Sequence, residues 1–345
     1  MSELVIDGAY GEGGGQLARL AVALAAVTGR AIRLHDIRAR RPRPGLAAQH
    51  LTALRAVAAM CGGELTGATL GASEVRFRPG RIRGGNYRFD VGTAGSVALV
   101  LQAVLPVALQ ADAPSHLTIT GGTDVRKAPT LDYLRWVFLP WLAQMGVQVQ
   151  LLRWRRGYYP RGGGELAIAV HPCRQLRPLR AEVRGPLRTI AVHAHVARLP
   201  LGIAERMASA AQGVLADLAP LHIGTQVLAE GEASGTGGAL TLVAETGQGQ
   251  LGASVVAQRG VPPERLGLAA AESLRLDLES GAALDIHAAD QLLVYAALAH
   301  GKSRFSVREL TPHAHTVMWL IDQFLPVRLV LPAGQTCCRV LVTRS

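Results

Sequence analysis

Apolar positions recur in two rhythms, one of strands and one of helices, and together they outline a repeating order of elements. Leu4–Asp7 reads as a short strand, and the turn Gly11-Glu12-Gly13-Gly14-Gly15 leads into a helix from about Gln16 to Thr28. Leu17, Leu20, Ala21 and Leu24 fall on one face of that helix, and Gly29 ends it. A strand (Ala31–Ile37), a helix (about Leu46–Met60, stopped by Gly62-Gly63) and two strands (near Val75–Phe77 and Tyr87–Val91) complete a first set. The order restarts at Gly92–Ser96: a helix to about Ala111, a strand at Leu117–Thr120, a helix at Leu131–Met145, and strands at Val147–Leu151 and Glu165–Val170. A shorter echo follows near the C-terminus. Asp290-Gln291 opens the helix Leu292–Ala299, then come a strand (Arg304–Val307), a helix (Thr316–Phe324) and strands at Arg328–Val330 and Arg339–Val342.

Between the second and third sets the rhythm changes. Strands at Thr189–Val196, Gln226–Glu230, Ala239–Val243 and Leu251–Gln258 surround one helix, about Gly202–Leu218. The expected class is therefore α/β (α+β), with internal repetition. The domain plan is a large domain over 1–180 (two repeats) and 277–345 (the third), with a smaller α/β domain inserted at 181–276.

Composition narrows the classes. Of the 345 residues 49% are hydrophobic and 18% charged, which excludes intrinsic disorder. The longest apolar stretches, Leu17–Val27 and Val97–Gln110, fall short of the roughly 20 residues of a membrane span. No charged-then-apolar export signal opens the chain, so a soluble cytoplasmic protein without membrane partners is expected. The four cysteines, Cys61, Cys173, Cys337 and Cys338, lack metal-ligand or disulfide spacing and read as reduced thiols. The formal net charge of +11 favours polyanions, though an Arg-rich composition with only Lys127 and Lys302 as lysines gives the same total. Local density says more. Arg38, Arg40, Arg41 and Arg43 form one cluster and Arg153, Arg155 and Arg156 another, and guanidinium forks match phosphate oxygens.

Candidate chemistry sits at the loop-to-helix junctions. Gly13-x-Gly15-x-x-Ala18 with Asp36 after the next strand has the shape of a dinucleotide fingerprint. Glu12 would then face a pyrophosphate and the arginines would crowd Asp36, which disfavours that reading; a P-loop motif is absent. The loop can still offer backbone N–H groups to an anion while Glu12 holds a divalent cation. The Arg38–Gly45 segment with Gln49-His50 reads equally as a phosphate site or a solvated turn. Asp124 and Asp290 read first as helix caps. His313 and His315 flank a helix start, and their two-residue spacing points them apart, so at most one is a nucleophile.

In order and spacing, a set of these segments resembles the RNA 3′-terminal phosphate cyclase family over nearly the whole chain. They are Asp7-Gly8-x-x-Gly11-Glu12-Gly13-Gly14-Gly15-Gln16-x-x-Arg19, Ile37-Arg38-Ala39-x-Arg41-x-x-Pro44-Gly45-Leu46 with Gln49-His50, and Gly95-Ser96 through Leu101-Gln102. To these add Gly121-Gly122-Thr123-Asp124, Gln258-Arg259-Gly260-Val261-Pro262, Ala289-Asp290-Gln291-Leu292 and His313-x-x-Thr316. The resemblance implies three units of two helices on a four-stranded sheet, like the C-terminal domain of translation initiation factor three, with a small domain inserted before the last.

It also implies ATP-dependent conversion of an RNA 3′-phosphate to a 2′,3′-cyclic phosphate through a histidine–AMP intermediate and an RNA adenylate. AMP and diphosphate are released. On that resemblance His313 is the nucleophile, with His315 the fallback, and Glu12 holds Mg²⁺ or Mn²⁺. Gln102, Pro129, His287, Ala288, Ala289, Asp290 and Gln291 take ATP; Arg19, Arg38, Arg41, Gln49 and His50 receive the phosphates. His287 departs from the family, standing where some members carry Tyr, and the inserted domain offers no clear aromatic counterpart. The expected partner is RNA with a 3′-phosphate end; a homodimer is left open. Two other readings compete: a non-catalytic ribosome-assembly branch of the same family, which lacks the histidine, and a carboxyvinyl transferase on a related repeat architecture.

Overall fold

The computed structural model describes residues 3–330 and 337–344. Within them the chain is mixed α/β, with four mixed four-stranded sheets. The first sheet holds β1 (Leu4–Asp7), β2 (Ile32–His35), β3 (Glu64–Thr66) and β4 (Val75–Arg78), in the order β1-β2-β4-β3. The second holds β5 (Gly85–Asp90), β6 (Ser115–Gly121), β7 (Val149–Arg155) and β8 (Gly164–Val170), in the order β5-β6-β8-β7. A third combines β9 (Arg180–Ala181) with β14 (Lys302–Val307), β15 (Val327–Val330) and β16 (Cys338–Arg344), in the order β9-β14-β16-β15. These three sheets are wired alike. The first strand is parallel to the second, and the fourth lies antiparallel between the second and the third.

The remaining sheet holds β10 (Leu187–Ala197), β11 (Leu221–Val227), β12 (Gly237–Thr246) and β13 (Gln250–Val256), in the different order β11-β10-β12-β13. It is covered by α6 (Leu201–Leu215) and α7 (Pro263–Glu279), which enclose a core of their own around Ile190, Met207, Leu242 and Leu274.

Helices α1 (Gly15–Thr28), α2 (Ala48–Cys61), α3 (Val97–Leu109), α8 (Ile286–Leu298) and α9 (Pro312–Phe324) pack over the three like sheets in one continuous apolar cluster. A further helix begins as α4 (Leu131–Tyr133), widens into a π-turn at Leu134–Phe138 and ends as α5 (Leu139–Gln144). α1 is buried along most of its length because it touches α2, α3 and α9, so alanine fills the positions where helices crowd. Gly29 closes it at φ +70°, its N–H donating to the Ala25 carbonyl.

Three expectations need correction. The strand read at Tyr87–Val91 is β5, the first strand of the second sheet, and short β3 completes the first. β11 lies at Leu221–Val227, earlier than the expected Gln226–Glu230. The segment at 181–276 was read with one helix, but α7 adds a second, hidden by its many charged residues. No helix among the described residues is long and apolar enough to cross a membrane.

Candidate active site

The N-terminal turns of α1, α2, α3, α8 and α9 converge on one cleft of about 730 Å3, joined by the 127–129 loop and Ser254 of β13. Helix N-termini carry free N–H groups and the positive end of the helix dipole, so this construction favours anions. Capping separates the five. Ser96, Asp285 and Thr311 accept hydrogen bonds from the first turns of α3, α8 and α9. Gly14 and Ala47, which start α1 and α2, give no side-chain cap, and there the arginines gather.

Arg19, Arg38 and Arg41 all line the cleft, with Glu12 as the carboxylate among them. Arg41 pairs with Glu12 and also donates to the Glu12 carbonyl at 3.2 Å. Arg38 donates to the Gly45 carbonyl at 2.6 Å from a left-handed backbone, φ +55°. Arg19 is 4% exposed and its Nε has no hydrogen-bond partner, so a buried cationic donor is left for an acceptor. Burial and the neighbouring Arg38 push its pKa down to about 10. His50 is likewise buried; desolvation, then Arg19 and Arg38, push it down to about 3, so the ring is neutral. Its Nδ1 accepts from the Ala47 N–H at 3.2 Å, and it packs on Gly15, where a Cβ would overlap the ring. Gln49 accepts the Ser96 N–H at 2.8 Å, tying α2 to the start of α3.

His313 stands opposite, at the start of α9. Its Nδ1 contacts Glu12 Oε2 and lies 3.0 Å from Gln16 Oε1. Both neighbours offer Nδ1 an oxygen acceptor, which assigns the proton to Nδ1 and the lone pair to Nε2. Burial lowers the His313 pKa; Glu12 opposes the shift, while Arg41, Arg19 and His287 add to it. Glu12 is held in turn by its own N–H donating to Thr316 Oγ1 at 3.2 Å. His315 does not line the cleft.

The other wall is formed by Gln102, Lys127, Pro129, His287, Asp290 and Gln291. Gln102 donates to Gln291 Oε1 at 3.1 Å, and Gln291 donates to the His287 carbonyl at 3.0 Å. Asp290 is not the cap; Asp285 is. Asp290 instead accepts from Thr311 Oγ1 at 2.7 Å, and burial pushes its pKa up to about 7, with Asp285 and Glu12 adding and Thr311 opposing. Ala288 and Ala289 are buried and do not line the cleft.

Thr130 is the N-cap residue of α4, while Asp124 accepts the Leu131 N–H of its first turn at 3.3 Å and also belongs to a buried ion cluster. Arg156 binds Asp124 at 3.2 Å and Asp132 at 2.7 Å, which removes it from the expected basic patch. Its companions are engaged too: Arg153 pairs with Glu165, and Arg155 donates to the Gly163 carbonyl. Gln16, Lys127, Tyr133 and Ser254 were not singled out from the sequence as site residues, yet all face the cleft. For Gln16 and Lys127 the signal was position beside a glycine loop; Tyr133 and Ser254 carried none.

A family model described as RNA 3′-terminal phosphate cyclase matches residues 10–331. Among curated proteins of that name, the one from Nitrosospira multiformis is 52% identical over 94% of this chain and 92% of its own length. The Methanopyrus kandleri protein is 43% identical over 95% and 94%, and the Pyrobaculum neutrophilum protein 41% identical over 94% of each. Among solved structures, EPSP synthase from Acinetobacter baumannii matches at TM-score 0.32 and 13% identity, covering 99% of this chain, which spans 66% of that one; so distant a likeness carries no argument. With a family match over most of its length and relatives this similar end to end, the chain belongs to the RNA 3′-terminal phosphate cyclase family.

Proposed function

We propose that this protein converts the 3′-terminal phosphate of RNA to a 2′,3′-cyclic phosphate, using ATP and passing through a histidine-bound adenylate. The observation that carries the reading is the setting of His313 in the cleft: its Nδ1 meets the oxygens of Gln16 and Glu12, which assigns the proton to Nδ1 and the free lone pair to Nε2. Nε2 attacks the α-phosphorus of ATP, a P–N bond forms, and the bond to diphosphate breaks. The imidazolium so created keeps its Nδ1 proton against the Glu12 carboxylate, which stabilises the developing positive charge. An oxygen of the RNA 3′-phosphate then displaces the imidazole and takes AMP. The 2′-OH attacks the activated phosphorus, closes the ring and expels AMP. Its attack is intramolecular, so proximity lowers the barrier.

The phosphates have distinct supports. Arg19, Arg38, Arg41, Gln49 and His50 surround the uncapped starts of α1 and α2 and suit the RNA phosphate and the reacting anion. Gln102, Pro129, His287, Asp290 and Gln291 form the wall assigned to the nucleotide, with Ala288 and Ala289 as the packed helix beneath. Among the described residues the one group of three potential metal ligands is Asp7, His35 and Asp36, and it does not include Glu12. Glu12 therefore fits only a Mg²⁺ or Mn²⁺ ion that shares its ligands with substrate phosphates. Such an ion, when bound, offsets phosphate charge. At the level of the fold, the shared wiring of three sheets supports three repeats, with β10–β13, α6 and α7 inserted between β9 and the rest of the third.

The test is covalent labelling. Protein incubated with α-labelled ATP and a divalent cation should carry acid-labile, alkali-stable label. His313→Ala should abolish it and His315→Ala should keep it. Label surviving in His313→Ala, or RNA ends cyclised by that variant, overturns the mechanism.

A further inference from the structure

Outside the cleft, four planar groups stack in a continuous ladder. The Arg135 guanidinium lies 4.9 Å from the Trp154 ring centroid and 5.5 Å from that of Trp136. Trp136 in turn lies 4.2 Å from the His193 ring, tilted by 32°. The ladder joins β7, the π-turn and β10, so the chain supplies its rungs from three separate segments. Core aromatics of this protein are enclosed, as Trp141 is at 0% exposure; Trp154 is 38% exposed and Arg135 is exposed. Among the described residues Arg135 has no carboxylate partner, so its charge is not neutralised.

The ladder is tied to the cleft through the β10–β13 sheet. His193 pairs with Thr241, and Thr241 with Ser254 in the cleft wall. Directly paired residues share a face, so the three side chains form one transverse row; Thr241 is fully buried in it, so the row sets the distance between ladder and cleft and an RNA joining them passes above it. Thr241 bonds Thr130 at 3.0 Å, just after the cleft residue Pro129. Two strand spacings separate His193 from Ser254 by about 10 Å. At about 3.4 Å per stacked nucleotide this spans two or three nucleotides.

We infer that the Trp154–Arg135–Trp136–His193 ladder is a stacking platform for single-stranded RNA, holding nucleotides a few positions 5′ of the terminal phosphate in the cleft. The exposed Trp154 ring and the Arg135 guanidinium against it offer bases a stacking surface with little sequence preference, backed by the half-buried Trp136 and His193. A duplex buries those base faces and fits the ladder poorly. The position and polarity of the RNA rest on the proposed cyclase reading; the platform itself rests on the stacking and the free charge.

The test compares a 5′-fluorescein-labelled twelve-nucleotide oligoadenylate 3′-phosphate with a dinucleotide 3′-phosphate that ends before the ladder. Trp154→Ala should weaken anisotropy-measured binding of the twelve-mer by about fivefold or more, the lower end of base–aromatic stacking. Its KM for the twelve-mer should rise with kcat unchanged, while the dinucleotide KM and self-adenylation stay as in the wild type. Arg135→Ala, a change at an exposed position, should repeat the pattern. Wild-type affinity for the twelve-mer in both variants, or equal loss on both substrates, overturns the platform. A wild-type protein that binds the twelve-mer through Trp154 but never cyclises it overturns the cyclase reading instead.

Discussion

Replacing Arg156 by Met should destabilise the protein by about 3–5 kcal/mol, the usual consequence of removing one partner from a buried ion cluster. Arg156 donates four hydrogen bonds, two to Asp124 at 3.2 and 3.3 Å and two to Asp132 at 2.7 and 2.8 Å. The side chains of those acids are 0% and 4% exposed, so methionine would leave two buried carboxylates with only the His195 ring, whose Nδ1 lies 3.6 Å from Asp132, as a possible counter-charge. At roughly 2 °C per kcal/mol for a chain this long, Tm should fall by about 6–10 °C.

The pH dependence gives the sign. In the wild type, burial pushes the Asp124 pKa up, but Arg156, then His195 and Thr123, pull it below the ordinary value of 3.8. Its stabilisation is therefore present above the unfolded pKa and lost as pH falls through the folded one. Without Arg156 the burial effect wins, and a carboxylate takes up a proton on folding. The variant's deficit should then shrink as pH falls from 8 to 5, measured by thermal denaturation across that range. A deficit that is constant or grows toward pH 5 would mean that desolvated charge is not its source. Activity should fall as well, because Asp124 and Asp132 bracket the loop that presents Lys127 and Pro129 to the cleft.

Gly15→Ala should cut RNA cyclisation more than tenfold with only about 1–3 kcal/mol of stability lost, because its Cβ overlaps the His50 ring and forces that ring out of place; near wild-type kcat/KM would free His50 from the site. Self-adenylation should be flat above pH 7 and fall on an acid limb below the ordinary histidine value of 6.5, since burial lowers the His313 pKa. Glu12→Gln should move that limb to lower pH by removing the charge that raises it, and a limb moved upward would contradict the contact.

Much of the candidate cleft was legible in the sequence because its lining lies at loop-to-helix junctions, where glycine and polar residues interrupt the apolar rhythm. Glu12, Arg41 and His313 are separated by up to about three hundred positions, yet each stands at such a junction, with Arg19 one turn into α1, and the topology brings those junctions together. What sequence periodicity could not provide was partnership across segments. β3 spans three residues and leaves no rhythm to read. The charged face of α7 masks its apolar one until the β10–β13 sheet covers the latter. Trp136, Trp154 and His193 look like isolated aromatics in a chain with an aromatic fraction of 4%, and only folding stacks them.

The two arginine clusters make the same point about charge. Local density made both candidates for phosphate, the Arg38–Arg43 cluster the stronger, and the net charge of +11 favoured both. Their fates diverge through what surrounds them. Arg153 and Arg156 meet Glu165, Asp124 and Asp132, so most of the second cluster is neutralised within the protein. Of the first cluster Arg38 and Arg41 line the cleft, joined there by Arg19 of α1 and the Glu12 carboxylate, while Arg40 and Arg43 are exposed outside it. Neither Gly14 nor Ala47 caps its helix, and only the Ala47 N–H is taken, by His50 Nδ1. Gly14 and Ala47 stand where Ser96, Thr130, Asp285 and Thr311 serve the other helices around the cleft. A capping side chain at those positions would satisfy the very N–H groups that an incoming phosphate needs, so a missing cap beside arginines separates an anion site from a solvated basic turn.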